Sequence, residues 1–145
     1  MLACTYAFNM ATFREKLEGH FVPLLVHILG MRRFAKLVFS QGLTQIGKER
    51  ADWLAGVMAD QDGQLMVSAW RAAMAFDSRR RLAEIGCPTL IIAGSNDQAV
   101  PIHHAKMLHL GITDFQLVVI DGADHALIWT HSDELMRVTD EFLGA

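Results

Sequence analysis

Two short runs of apolar residues decide what this chain can fold into. Thr89-Leu90-Ile91-Ile92-Ala93 and Phe115-Gln116-Leu117-Val118-Val119-Ile120 are nearly continuous in apolar residues rather than alternating with polar ones. A strand that is apolar on both faces must be covered on both, as strands of a parallel sheet are. The stretch between the runs predicts a helix, opened by Val100-Pro101 and reaching His109 or Leu110. A second amphipathic helix is predicted from Ser132 to Leu143, with Leu135, Val138, Thr139 and Phe142 on its inner side. Ser132-Asp133-Glu134 suits the positive end of that helix's dipole. Strand, helix, strand, helix is the pattern of a parallel α/β sheet.

The preceding part of the chain has a different texture. Residues 1–12 read as the end of a buried strand running into a loop. Residues 13–84 read as about four helices with no strand between them, because apolar residues recur at near-helical spacing through Phe13, Leu17, Phe21, Leu24, Leu25 and Ile28 and again through Trp53, Leu54, Val57 and Met58. Gly30, Gly42-Leu43-Thr44 and Asp62-Gly63 mark helix ends or turns. Arg79-Arg80-Arg81 would end the last of these helices, beside its C-terminal dipole. Three segments result: 1–12, 13–84 and 85–145.

Composition excludes several function classes. A net charge of −3 gives no basic face for nucleic acid. No window approaches the ~18 uninterrupted apolar residues of a membrane span. The opening Met1-Leu2-Ala3-Cys4 lacks the charged and apolar regions of an export signal. Two cysteines, Cys4 and Cys87, make no disulfide framework and fit a reducing, cytoplasmic compartment.

In open α/β sheets the chemistry gathers where strands end and loops begin. Asp97 follows the first apolar run by a few residues, and His125 follows the second. Adjacent parallel strands would open both loops at one edge, where a carboxylate can fix the tautomer of an imidazole and stabilise its protonated form. The order acid then histidine, after an earlier nucleophile, is the chain order of one triad class.

The residues carry a resemblance. Pro88-Thr89-Leu90-Ile91-Ile92-Ala93-Gly94-Ser95-Asn96-Asp97-Gln98-Ala99-Val100-Pro101 resembles the segment of the α/β-hydrolases that bears the triad acid. Ile120-Asp121-Gly122-Ala123-Asp124-His125 resembles the segment that bears the triad histidine. The resemblance implies a partial α/β-hydrolase fold: about three parallel strands, with residues 1–12 as a remnant of the sixth strand, 13–84 as a helical cap loosely like that of enol-lactonases and carboxylesterases, and 85–145 as the end of the core. It implies Asp97 and His125 as catalytic positions, with no metal and no organic cofactor. Asp124 stands where the family usually has glycine; aspartate tolerates turn geometry and can hydrogen-bond locally.

The nucleophile is not among these residues. No G-x-S-x-G sequence occurs in the chain, and the oxyanion hole, which uses the amide after the nucleophile, is missing with it. Ser95 lies in the acid loop; Ser40, Ser68, Ser78 and Ser132 lie in or beside helices; Cys4 sits at a strand end with no elbow-like turn after it. Two functions are expected from this. The first is an ester or lactone hydrolase lineage, inactive alone, whose nucleophile comes from a complementing N-terminal half. The second is a non-catalytic module that self-associates or binds a small molecule. An uncovered strand edge predicts a homo-oligomer or that complementing half as partner. His103, His104 and His109 read as solvated helix residues rather than metal ligands. Trp53, Met58, Met66, Trp70 and Met74 read as helix core rather than pocket lining.

Overall fold

The computed structural model describes residues 1–42 and 45–144. The turn expected at Gly42-Leu43-Thr44 falls at Leu43 and Thr44 outside the described residues, and the side chain of Ser40 lies outside them too. The described residues divide into two compact units, residues 1–7 with 78–145, and residues 8–77. The segment boundaries expected from sequence stood at residues 12 and 84.

The first unit is a parallel sheet of three strands covered by helices. Strands β1 (Leu2–Ala3), β2 (Thr89–Gly94) and β3 (Phe115–Ile120) lie in the order β1-β2-β3, with Leu2 opposite Ile91 and Thr89 opposite Phe115. All six residues of β2 are buried, the outcome its unbroken apolar run requires. One face of β2 presents Ile91 and Ala93 to Leu82, Ala105, Leu108 and Ile112. The other presents Leu90 and Ile92 to Ile120, Ala123, Leu127 and Val138. Helix α4 (Ile102–Gly111) serves the first face; α5 (Leu127–Thr130) and α6 (Ser132–Leu143) serve the second. Leu90 has no exposed surface, so Leu90→Ala is expected to cost about 2–5 kcal/mol in a denaturant melt, the cavity adding to the lost transfer energy.

The second unit is helical. Helix α1 (Phe13–Gly42) is interrupted at Gly30, whose φ of 70° no continuous helix allows. It is followed by α2 (Lys48–Ala59) and α3 (Gly63–Ala75). Asp62 caps α3 by accepting from the amides of Gln64 and Leu65, each at 2.8 Å. The Trp70 indole donates to the Gly19 carbonyl at 3.1 Å, and an antiparallel bridge joins Phe8 to Asp77 at the unit's two ends.

Three sequence expectations change here. Arg79-Arg80-Arg81 open a 3₁₀ helix, Arg79–Glu84, instead of ending a longer helix, because α3 already stops at Phe76. Trp53 is 64% exposed, and only Met74 of the five expected core residues is fully buried. A small helical unit has little interior, and Val26, Phe34, Ala35, Ile46 and Ala55 fill it with Met74. Phe13, Leu17, Phe21, Leu24 and Ile28 form an exposed stripe along α1. Finally, His104 is buried rather than solvated, because it shares the inward face of α4 with Ala105 and Leu108.

Candidate active site

The C-terminal ends of β2 and β3 are held in close apposition by their loops. At Gly94, a Cβ would lie 2.3 Å from the Ala123 carbonyl oxygen and 3.2 Å from that of Asp124, so only glycine lets the second loop cross so near. The Ser95 amide donates to the Ile120 carbonyl at 3.0 Å, and the Asn96 amide to that of Ala123 at 2.9 Å. The Ser95 hydroxyl completes the join, donating to Asp121 Oδ1 at 3.1 Å and accepting from the Gly122 amide at 2.8 Å. Ser95 therefore fastens one loop to the other.

That join brings Asp97 and His125 together. Asp97 Oδ2 lies 2.9 Å from His125 Nδ1. Asp97 Oδ1 accepts from the amides of Ala99 at 2.9 Å and Val100 at 2.8 Å, a turn that fixes the carboxylate's plane before the helix begins. The Asp97 side chain is fully buried while that of His125 is 38% exposed, so the pair has an inner, anchored member and an outer, accessible one. Burial pushes the Asp97 carboxyl up, but the hydrogen bonds from His125 and the Val100 amide outweigh it and hold the group below the usual carboxylate range. The hydrogen bond to Asp97 lifts His125 above the ordinary imidazole value against the opposing effect of its own burial. An ionised carboxylate on Nδ1 fixes the proton there and leaves Nε2 as the basic nitrogen, the state a general base requires.

Asp124 shapes the backbone that presents His125. Its Oδ1 accepts from the Ala126 amide at 2.8 Å and its carbonyl from the Leu127 amide at 3.2 Å, which turns the chain into α5, a short helix the sequence did not announce. Asp124 is buried, and its Oδ2 has no hydrogen-bond partner among the described residues. Its charge adds to the upward push on His125.

Cys4 joins the same edge from β1. Its amide donates to the Ile92 carbonyl at 3.0 Å, and its φ of 43° turns the chain sharply out of the strand. The thiol lies beside Asp97. Burial and then the charge of Asp97 push it up to about 12, so Cys4 is not a thiolate and does not supply the nucleophile absent from the sequence. The donor atoms of Cys4, Asp97 and His125 lie within 4.8 Å of one another. These are donor types that zinc-like ions accept, and two of them, Asp97 and His125, are joined by a hydrogen bond. Sequence reasoning missed the nearness of Cys4 to the pair; its place after a strand, at the same edge as the two loops, was the available signal.

The remaining candidates lie elsewhere. His104 is stacked near Tyr6 at 5.8 Å and His103 at 4.2 Å, and His109 meets Phe115 edge-on at 4.0 Å. Ser68 donates to the Gln64 carbonyl at 2.9 Å and Ser78 to that of Ala7 at 3.3 Å, both as backbone braces. Among the described residues no helix is long and apolar enough to cross a membrane.

Comparison with known proteins agrees with this architecture. No family profile matches the chain. It is 38% identical over 79 residues to the 2-hydroxy-6-oxo-6-phenylhexa-2,4-dienoate hydrolase of Comamonas testosteroni, covering 54% of this chain and 28% of that protein. The structure superposes on a hydrolase from Pseudomonas aeruginosa with a TM-score of 0.81 at 21% identity, over 99% of this chain and 54% of that one. It also superposes on the enol-lactonase from Burkholderia xenovorans with a TM-score of 0.78 at 21% identity, over 99% of this chain and 55% of that one. The chain thus spans about half the length of the solved structures, and its matches take in about a third or less of the curated relatives. A parallel β1-β2-β3 sheet with an acid loop and a histidine loop at one edge, superposing over nearly its whole length on about half of each of these solved hydrolases, gives the chain a partial α/β-hydrolase fold, similar to the C-terminal part of such proteins.

Proposed function

We propose that this chain is the acid–base part of a serine-type hydrolase acting on a small ester or lactone. His125 is the general base and then the general acid, with Nε2 taking the proton from a nucleophilic hydroxyl and returning it to the leaving group. Asp97 orients the imidazole and stabilises its protonated form. The observation that carries this assignment is the 2.9 Å contact between Asp97 Oδ2 and His125 Nδ1, anchored on the buried side and open on the other. The nucleophile and the oxyanion donors come from polypeptide outside residues 1–145, and the helical segment 13–84 acts as the cap. No metal or organic cofactor enters this chemistry. The exposed apolar stripe of α1 favours association, either with that complementing polypeptide or with a second copy of the chain.

The test is reconstitution. The 145-residue chain alone is expected neither to turn over p-nitrophenyl acetate nor to react with a fluorophosphonate. Co-expression with the N-terminal half of the Comamonas relative, bearing its own nucleophile, is expected to restore turnover that His125→Ala abolishes. Turnover by the chain alone, or a folded complex whose turnover survives His125→Ala, would overturn the proposal.

A further inference from the structure

We propose that Cys4, Asp97 and His125 together form a binding site for a thiophilic divalent cation such as zinc, and that an ion held there disables the acid–base pair. The disabling half rests on the reading of Asp97 and His125 as acid and base; the binding half does not.

Three segments that meet at one edge of the sheet supply the ligands: the end of β1, the loop after β2 and the loop after β3. One ligand atom from each residue lies within 4.8 Å of the other two. In a tetrahedral zinc site, with Zn–S about 2.3 Å and Zn–N or Zn–O about 2.0–2.1 Å, ligand atoms stand about 3.3–3.6 Å apart. The spacings here, 2.9 Å between Asp97 Oδ2 and His125 Nδ1 and at most 4.8 Å within the trio, bracket that range. Two of the ligands are held in advance. The Cys4 amide is bonded to the Ile92 carbonyl at 3.0 Å. Asp97 is held through Oδ1 by the amides of Ala99 and Val100, which leaves Oδ2 for the ion. His125, with its side chain 38% exposed, is the outer member that adjusts by rotation, and it leaves a solvent side for water as fourth ligand.

Charge favours a cation at this place. Asp97 and a Cys4 thiolate bring two negative charges and a neutral imidazole brings none, so a divalent ion leaves a largely buried cluster electrically neutral. Asp124 adds to the pull: it is buried, and its Oδ2 has no hydrogen-bond partner among the described residues. A cysteine–histidine–carboxylate set suits zinc, whereas magnesium and calcium take oxygen ligands and more of them. Binding forms three coordinate bonds, from the lone pairs of Cys4 Sγ, Asp97 Oδ2 and His125 Nδ1. The thiol proton goes to solvent, the imidazole proton passes from Nδ1 to Nε2, and nothing is oxidised or reduced. An imidazole protonated on Nε2 cannot take a proton from a hydroxyl, so the metal-bound pair is inactive.

The experiment is a Co²⁺ titration of the 145-residue chain under reducing conditions, because cobalt enters zinc sites and reports its ligands by absorption. The expected spectrum has tetrahedral ligand-field bands and a near-ultraviolet sulfur-to-cobalt charge-transfer band. Stoichiometric Zn²⁺ should erase both, and excess Mg²⁺ neither. Cys4→Ser is expected to remove the charge-transfer band, while Cys87→Ser keeps it. His125→Ala should weaken binding more than about tenfold, the least that even a residue behind a metal ligand costs. The absence of a charge-transfer band, or its loss in Cys87→Ser and survival in Cys4→Ser, would overturn the site. If Cys4→Ser does not fold, His125→Ala decides through its partly exposed position, since undiminished cobalt affinity contradicts the site. In the reconstituted enzyme zinc is expected to suppress turnover and a chelator to restore it; turnover that persists at zinc saturation overturns the disabling role. The two readings fail separately. The cobalt spectrum without any reconstituted turnover keeps the ion site and removes the proposed function, whereas turnover that depends on His125 without a cobalt spectrum removes the ion site alone.

Discussion

Gly94→Ala is expected to abolish the folded sheet unit, and with it the meeting of Asp97 and His125. The added methyl would stand 2.3 Å from the Ala123 oxygen and 2.9 Å from its carbonyl carbon. Both atoms are backbone, and the same carbonyl is held in place by the Asn96 amide at 2.9 Å. No flexible side-chain end can yield, so relief requires the loop after β3 to move away from the end of β2. That movement breaks the Ser95 bonds to Ile120, Asp121 and Gly122 as well. Overpacking a well-filled site costs about 1–3 kcal/mol, and a backbone collision of this depth lies at or beyond the upper end. Near-ultraviolet circular dichroism and a thermal melt provide the measurement. A melting temperature within a few degrees of wild type would show that the two loops are not pinned together as described.

Asp97→Asn is expected to give a folded protein in which His125 no longer titrates above the ordinary imidazole range. The substitution is clean on the inner side, since an amide oxygen can still accept from Ala99 and Val100 as Oδ1 does now. On the outer side the amide NH₂ faces Nδ1, which must then become the acceptor. The proton moves to Nε2, the nitrogen that should be free to take one. In a reconstituted enzyme this variant therefore loses most of its turnover while retaining its structure. The pH dependence of stability follows from the same pair. His125 is raised in the folded state, so its contribution is full below the unfolded value near 6.5 and is lost as pH rises through the higher folded value. Asp97 is lowered, so its contribution is present above the unfolded value near 3.8 and is lost as pH falls through the lower folded value. The stability difference between wild type and Asp97→Asn should thus peak between about pH 4 and 6.5. Its size is about 1–2 kcal/mol, below the usual figure for a hydrogen bond to a charged group because the imidazole is partly exposed to solvent. Denaturant melts across that range supply the check, and a difference independent of pH would contradict it.

How much of this was legible follows from where each feature gets its energy. The strands Thr89–Gly94 and Phe115–Ile120 and the helix Ser132–Leu143 could be read almost to the residue. Continuous apolar runs and a helical stripe each have one way to be buried. The helices of the second unit were legible as helices, but their burial was not. Trp53 and the Phe13–Ile28 stripe have core-type spacing and nonetheless face outward, because periodicity identifies a face without supplying something to cover it. The arginines at 79–81 misled for a related reason: their charge suits the end of a helix, whereas the end was fixed one turn earlier at Phe76.

By itself, the sequence determined that two apolar strands would lie parallel, each followed by a loop bearing one member of an acid–base pair, and that no G-x-S-x-G nucleophile stands among these residues. Tertiary structure alone decided that Asp97 would be the buried partner and His125 the exposed one, that Ser95 would tie their loops, and that a cysteine at the end of a third strand would lie beside the same pair. The division has a physical cause. Strand and helix patterns are set by neighbours along the chain, while the charge state and orientation of a side chain are set by whatever the fold brings against it from positions tens of residues away.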